Sequence, residues 1–175
     1  LISSSSFFFF ISFGVAEVFC AQVRLAAELD LPVNVHSTSA GHYAIEHLRQ
    51  LGARRAVLHA FDGRAKYAEA AAQDGFFFSV PPIVERSPHM QGLVPRVPLA
   101  QLLLETDAPA LAAVKGERNV PANLAVACHA VARLQGRTFD DVCAATTAQA
   151  QALFRPQDKW KSEAEEEDGG GEKKV

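Results

Sequence analysis

An α/β fold built on a parallel sheet is predicted by three features of the 175-residue sequence. Its β-rich runs are continuously apolar rather than alternating, amphipathic stretches separate them, and its apolar content of 49% is enough to bury one core. Strands that are apolar on both faces need helices on both sides, and the separating stretches supply them.

The opening LISSSSFFFFISFGV lacks a starting Met and any early Lys or Arg, and its apolar run is shorter than the roughly 20 residues of a membrane span. Residues 1–15 are read as an aberrant or truncated start, with the tail of a secretory signal as the alternative. From Ala16 to Asp30, Val18, Phe19, Val23, Leu25, Ala26 and Leu29 recur at near-helical spacing. LPVNV then reads as a short buried strand. AGHYAIEHLRQLG is helical, with Ile45 and Leu48 toward the core and Gly52 as its C-terminal stop. AVLHAF is the second strand, Arg64 to Asp74 an alanine-rich helix, GFFFSV the third strand and LLLETD the fourth. Pro81 and Pro82 argue against a helix directly after the third strand; a short helix is expected near Met90 to Val94. Helices over Pro121 to Leu134 and Thr138 to Phe154 close the domain, 16–154. The remaining 155–175 is charged and glycine-rich, too poor in apolar residues to offset the entropy of ordering, and reads as a disordered tail.

Charge and cysteines narrow the function classes. Asp158 to Lys174 holds seven carboxylates against four lysines, and the rest of the chain carries thirteen residues of each sign. No general basic footprint of a non-specific nucleic-acid binder is present, so any such contact is local. Cys20, Cys128 and Cys143 are odd in number and form no CxxC pair, which suggests neither a disulfide framework nor a cysteine zinc site.

Polar groups gather at the carboxyl ends of the strands. His36 ends VNVH, His59 lies within VLHAFDG and Asp107 ends LLLETD. In a parallel sheet or barrel these ends lie on one side, so the three can converge in one mouth. Imidazole and carboxylate suit zinc, manganese or a similar divalent ion, which activates water as a nucleophile. Plainer readings stand beside this one. A histidine in an apolar strand can be a satisfied core residue, Asp62 and Gly63 a tight turn, and Asp107 a turn cap ahead of Pro109. Arg118 and Asn119 could place a guanidinium beside a substrate phosphate, or be ordinary loop residues before the helix that Pro121 begins. His42 and His47 fall on a helix face, and His89 and His129 match no strand end; all four read as solvent or packing residues.

Taken in order, PVNVHSTSAG, VLHAFDG, GFFFSV, LLLETDAPAL, RNVP and TTAQAQALF resemble the TatD family of metal-dependent hydrolases, from about Ala21 to Phe154. The resemblance implies a TIM-type (β/α)8 barrel with divalent metal ions (zinc, magnesium or manganese) at its C-terminal mouth. It also implies hydrolysis of phosphodiester bonds, as in a deoxyribonuclease acting on DNA or another phosphoester. By the same likeness His36 and His59 are the metal-binding histidines of the fifth and sixth barrel strands. Asp107 is then the eighth-strand aspartate, which contacts metal and takes a proton from the attacking water.

The departures are equally definite. The family's HxH pair and the glutamate of its GExGLD-like segment do not occur in the sequence, and Glu17 precedes a helix rather than ending a strand. Thr38 stands where the family has Arg, Val120 where an acidic residue follows Arg-Asn, and Gln149 where Asn is usual. Threonine offers no charged bidentate contact, so phosphate holding is weakened. Four strand candidates are half of what a closed barrel uses. The expected architecture is therefore the C-terminal half, an open half-barrel whose edges invite self-association, and the expected enzyme is impaired in this form. A non-catalytic interaction or regulatory fragment, or a faulty gene model, is the alternative. With no signal recognised, no membrane partner and an intracellular location, cytoplasmic or nuclear, are expected.

Overall fold

A computed structural model describes residues 4–154, with side chains from Gly14 onward. The disordered tail expected over 155–175, and the first three residues of the apolar start, lie outside the described residues. The elements follow as α1 (Ser4–Glu28), β1 (Val33–His36), α2 (Gly41–Gln50), β2 (Ala56–His59), α3 (Ala65–Gln73), β3 (Phe77–Val80), α4 (Pro88–Leu93), β4 (Leu102–Leu104), α5 (Leu124–Gln135) and α6 (Phe139–Phe154).

The four strands form one parallel sheet in the order β1-β2-β3-β4, as the alternation of apolar runs and helices predicts. Register sorts their side chains, because residues paired across neighbouring parallel strands share a face and successive residues alternate. Val35, Ala56, Leu58, Phe78, Val80 and Leu102 point to the outer face and are buried in the main core with Ile45 and Leu48 of α2 and Val131 of α5. Each large side chain fully removed from water there contributes about 1.5–3 kcal/mol. Asn34, His36, Val57, His59, Phe77, Ser79 and Leu103 occupy the inner face. Val57 and Leu103 are covered by Leu153 from the end of α6, with Phe77 and Ala150 beside them. The Arg55 guanidinium ties this corner by donating to the Leu153 carbonyl and, at 2.8 Å, to that of Asp30.

The turn after β3 corrects an expectation, and α1 is longer than the periodic stretch it contains. α1 runs through residue 15, and among its apolar residues with described side chains only Val23 is fully buried, with Phe19 half-buried. Val18, Leu25 and Leu29 are exposed, because α1 meets β1 along the narrow stripe of Phe19, Gln22 and Val23, beside a cleft of about 270 Å³. A 3-10 turn over Pro82–Glu85 does follow β3 directly. Proline is tolerated at the first position of such a turn, where its missing N–H would have no partner.

Local chemistry fixes the other ends. α2 stops where expected: Gly52 takes φ 65°, and the N–H groups of Gly52 and Ala53 donate to Arg49 O and Leu48 O, both at 3.0 Å. α6 starts with a capping box in which Asp141 N donates to Thr138 Oγ1 at 3.0 Å and Thr138 N donates to Asp141 Oδ2 at 3.2 Å. Hydrogen bonding to the Thr138 side chain first, and then from its backbone N–H, holds the Asp141 carboxyl below its usual range. Between α5 and α6 the sulfurs of Cys128 and Cys143 stand 3.3 Å apart on the wall of a 310 Å³ cavity. Burial first, and then the neighbouring Cys143, push the Cys128 thiol up to about 12.

Candidate active site

Because β1 and β2 pair in register, His36 and His59 sit side by side at the carboxyl ends of adjacent strands, both on the inner face. Their ring centroids are 5.2 Å apart and the planes are inclined by 32°. His36 Nε2 is hydrogen-bonded to Thr38 Oγ1 at 2.6 Å, so the residue that replaces the expected Arg engages the histidine itself.

His59 is held more firmly. Its Nδ1 is hydrogen-bonded to Glu105 Oε2 at 2.6 Å, and the other carboxylate oxygen, Oε1, accepts from Ala60 N at 3.0 Å. Glu105 follows β4 and bridges two strands away, so the last residue of β2 is fixed from across the sheet. With Nδ1 engaged, Nε2 is the nitrogen presented to the mouth, where Asp107 Oδ1 lies 3.7 Å away. A histidine whose rear nitrogen is bonded to a carboxylate is the arrangement that orients imidazole ligands toward metals. Nothing in the spacing of the sequence pairs Glu105 with His59, 46 residues away. The one local signal is that Glu105 and Asp107 are two apart at a strand end, where side chains alternate.

Asp107 adopts φ 54°, a left-handed conformation that a non-glycine residue avoids by about 1–2 kcal/mol. Asn119 supports it. This side chain is 1% exposed and its Nδ2 donates to Thr106 O at 2.6 Å and Ala110 O at 2.7 Å. Its Oδ1 accepts from Val120 N and from Asn123 Nδ2, at 3.0 and 2.9 Å. Asn119 thus clamps the loop that carries Asp107, and its buried amide spends its hydrogen-bonding groups within that loop. Arg118, beside it, is exposed on the loop.

The two flanking loops are locked to one another by Phe61, which is 2% exposed and packs edge-to-face on Phe78. A Cβ on Gly63 would lie 2.5 Å from Phe61 Cζ, and one on Gly41 would overlap the same ring. Ser39 N also donates to Asp62 Oδ1 at 3.4 Å. Hence the short β1–α2 and β2–α3 connections form one unit around a single ring.

The donor types of His36, His59 and Asp107 fit a divalent cation. Among the described residues, however, no group of three or more His, Cys, Asp and Glu side chains is gathered closely enough to hold one. The set is partial. No helix among the described residues is long and apolar enough to cross a membrane.

A parallel sheet with helices outside and imidazole and carboxylate groups at the carboxyl ends of its strands is the architecture of part of an α/β barrel. The chain belongs to the TatD family: the model described as TatD related DNase matches residues 15–155. Human deoxyribonuclease TATDN3 is 44% identical over 138 residues, covering 79% of this chain and 50% of that protein. The uncharacterized metal-dependent hydrolase YabD of Bacillus subtilis strain 168 is 31% identical over 145 residues, covering 79% and 57%. Among solved structures, that of YJJV, a TatD homolog from Escherichia coli K12, superposes with a TM-score of 0.71 at 30% identity, covering 78% of this chain and 54% of that one. The chain spans about half the length of the relatives it matches.

Proposed function

We propose that this chain carries the C-terminal part of a metal-dependent phosphodiester hydrolase site that acts on DNA, with His36, His59 and Asp107 as its share of the metal donors. The observation that carries this reading is the position of His59, steadied at Nδ1 by Glu105 with Nε2 turned toward Asp107. His36, His59 and Asp107 would hold part of the shell of a divalent ion (zinc, magnesium or manganese), which when bound would supply charge stabilisation and a more acidic water. Asp107 is the residue we assign to accept the proton of the attacking water, since its carboxylate lies 3.7 Å from His59 Nε2 at the strand ends with 38% of the side chain exposed. Glu105 keeps the imidazole from rotating away. With a partial donor set, hydrolysis by the 175-residue chain is slow compared with longer relatives.

Hydrolysis of a labelled DNA oligonucleotide in manganese or zinc tests this. The expected result is slow metal-dependent cleavage that Asp107→Asn abolishes and His59→Ala lowers at least 10-fold. Cleavage that persists unchanged in Asp107→Asn sinks the assignment. β1 and β4 each pair on one side only among the described residues, which supports self-association through a sheet edge. Elution at the monomer position at every concentration in size-exclusion chromatography counts against that part.

A further inference from the structure

The mouth has an aromatic rim that the reading above leaves unused. His42 and Tyr43 lie in the first turn of α2, and Lys66 and Tyr67 in the first turn of α3. Both helices begin at the end of the sheet where His36 and His59 sit, because each follows its strand through a short connection. The rings form a cluster centred on His42, tilted against Tyr43 and stacked on Tyr67. His42 is 3.9 Å from Tyr43, inclined by 38°, and 5.5 Å from Tyr67, inclined by only 22°. The Lys66 ammonium lies 5.0 Å from the Tyr67 centroid. Tyr43 is 60% exposed, so its outer side is open to solvent.

Tyr67 is partly buried and packs against the main core, whereas His42, Tyr43 and Lys66 are exposed and core packing does not account for them. The stack is nonetheless held in place. Phe61, wedged against Gly41 and Gly63, fixes the start of α2 against the connection that leads into α3. A preorganised ring cluster with an open outer ring and a cation at one end, at the end of the sheet proposed for phosphodiester chemistry, matches what unpaired nucleobases require. Every base offers a π-face, while the sugar-phosphate chain offers a negative charge at each step. A paired duplex buries its base faces and presents only phosphates here.

We propose that His42, Tyr43, Tyr67 and Lys66 form a stacking subsite for unpaired bases of a single-stranded nucleic acid, with Lys66 on the backbone phosphate. The assignment rests on the phosphodiester reading of the mouth for its substrate, but is tested by binding alone.

The probe is a fluorescently labelled 12-nucleotide single-stranded DNA, compared by anisotropy with an abasic strand of the same length and charge, in EDTA to prevent cleavage. The full chain is expected to bind the base-bearing strand more tightly than the abasic one. Tyr43→Ala is expected to weaken that binding about 5- to 150-fold and to leave the abasic strand unaffected. Tyr43→Phe, which keeps the ring, restores it. Lys66→Gln is expected to weaken both strands and to flatten the dependence of log Kd on log salt by about 0.7. Equal binding of the two strands by the unmodified chain, or unchanged binding in Tyr43→Ala with the fold intact by circular dichroism, overturns the subsite. The two readings fail separately: base-dependent binding with cleavage that survives Asp107→Asn would remove the catalytic assignment and keep the platform.

Discussion

Gly63→Ala tests whether the loops of the mouth are held by one ring. The added methyl would sit 2.5 Å from Phe61 Cζ and 2.7 Å from Cε1, both well inside van der Waals contact, and 3.3 Å from Cε2. An exposed ring would swing aside, but Phe61 is 2% exposed, with Phe78 against it and Gly41 hemming it in. Relief must then come from backbone movement, and overpacking of this kind costs about 1–3 kcal/mol. Taking about 2 kcal/mol and a urea slope of about 2 kcal/mol per M, the unfolding midpoint falls by about 1 M. The assay is urea denaturation followed by far-ultraviolet circular dichroism, run as a double-mutant cycle with Phe61→Leu. Leucine lacks the ring atoms that meet the new methyl, so Gly63→Ala is expected to cost about 1 kcal/mol less when Phe61→Leu is already in place. A midpoint at or above that of the parent chain, or additive effects in the cycle, would refute the wedge.

Three further expectations follow from neighbouring groups. Glu105→Gln removes the charged partner of His59 Nδ1 and should weaken manganese or zinc affinity about 10- to 100-fold by calorimetry; unchanged affinity would show that the carboxylate orients nothing. Asn119→Ala leaves the carbonyls of Thr106 and Ala110 without their donor and should cost about 2–4 kcal/mol in urea unfolding, with less than about 0.5 M change in midpoint counting against the clamp. The Cys128 thiol ionises at about 12 in the fold against 9.0 for an unperturbed group. Its stabilising contribution is therefore complete below pH 9 and lost as pH rises toward 12, by up to about 1.4 kcal/mol per pH unit. Cys128→Ala should lose less stability than the parent between about pH 9 and pH 10.5, and equal losses would reject the assignment.

Much of this architecture was legible in the chain because it depends on local periodicity. The continuous apolar runs became the four strands, and placing histidines at the ends of two of them sufficed to put His36 beside His59. What escaped detection depends on distance along the chain. Glu105 meets His59 only because β3 separates their strands in the sheet, and the role of Asn119 follows from burial, which its neighbours Arg118 and Val120 do not share. His42 looked like an ordinary helix-face residue until Tyr67, 25 positions later, came to lie over it. The exposure of Leu25 and Leu29 was hidden for the opposite reason: periodicity reveals an apolar stripe but not how much of it a neighbouring strand is wide enough to cover.

The pairing of Val33 with Ala56 and of His36 with His59 is a single register. Moving β1 by one residue would turn Val35 to the inner face and drive the imidazole of His36 into the outer core. Fold and donor placement are therefore inherited together. A substitution at Val33 or Val35 that loosened the strand would forfeit stability and the histidine pair in one step, leaving no route by which the spacing of the two imidazoles could drift while the domain stayed sound. Variation in the chemistry of this mouth has to enter through the connections beyond the strands, which is where Thr38 meets His36.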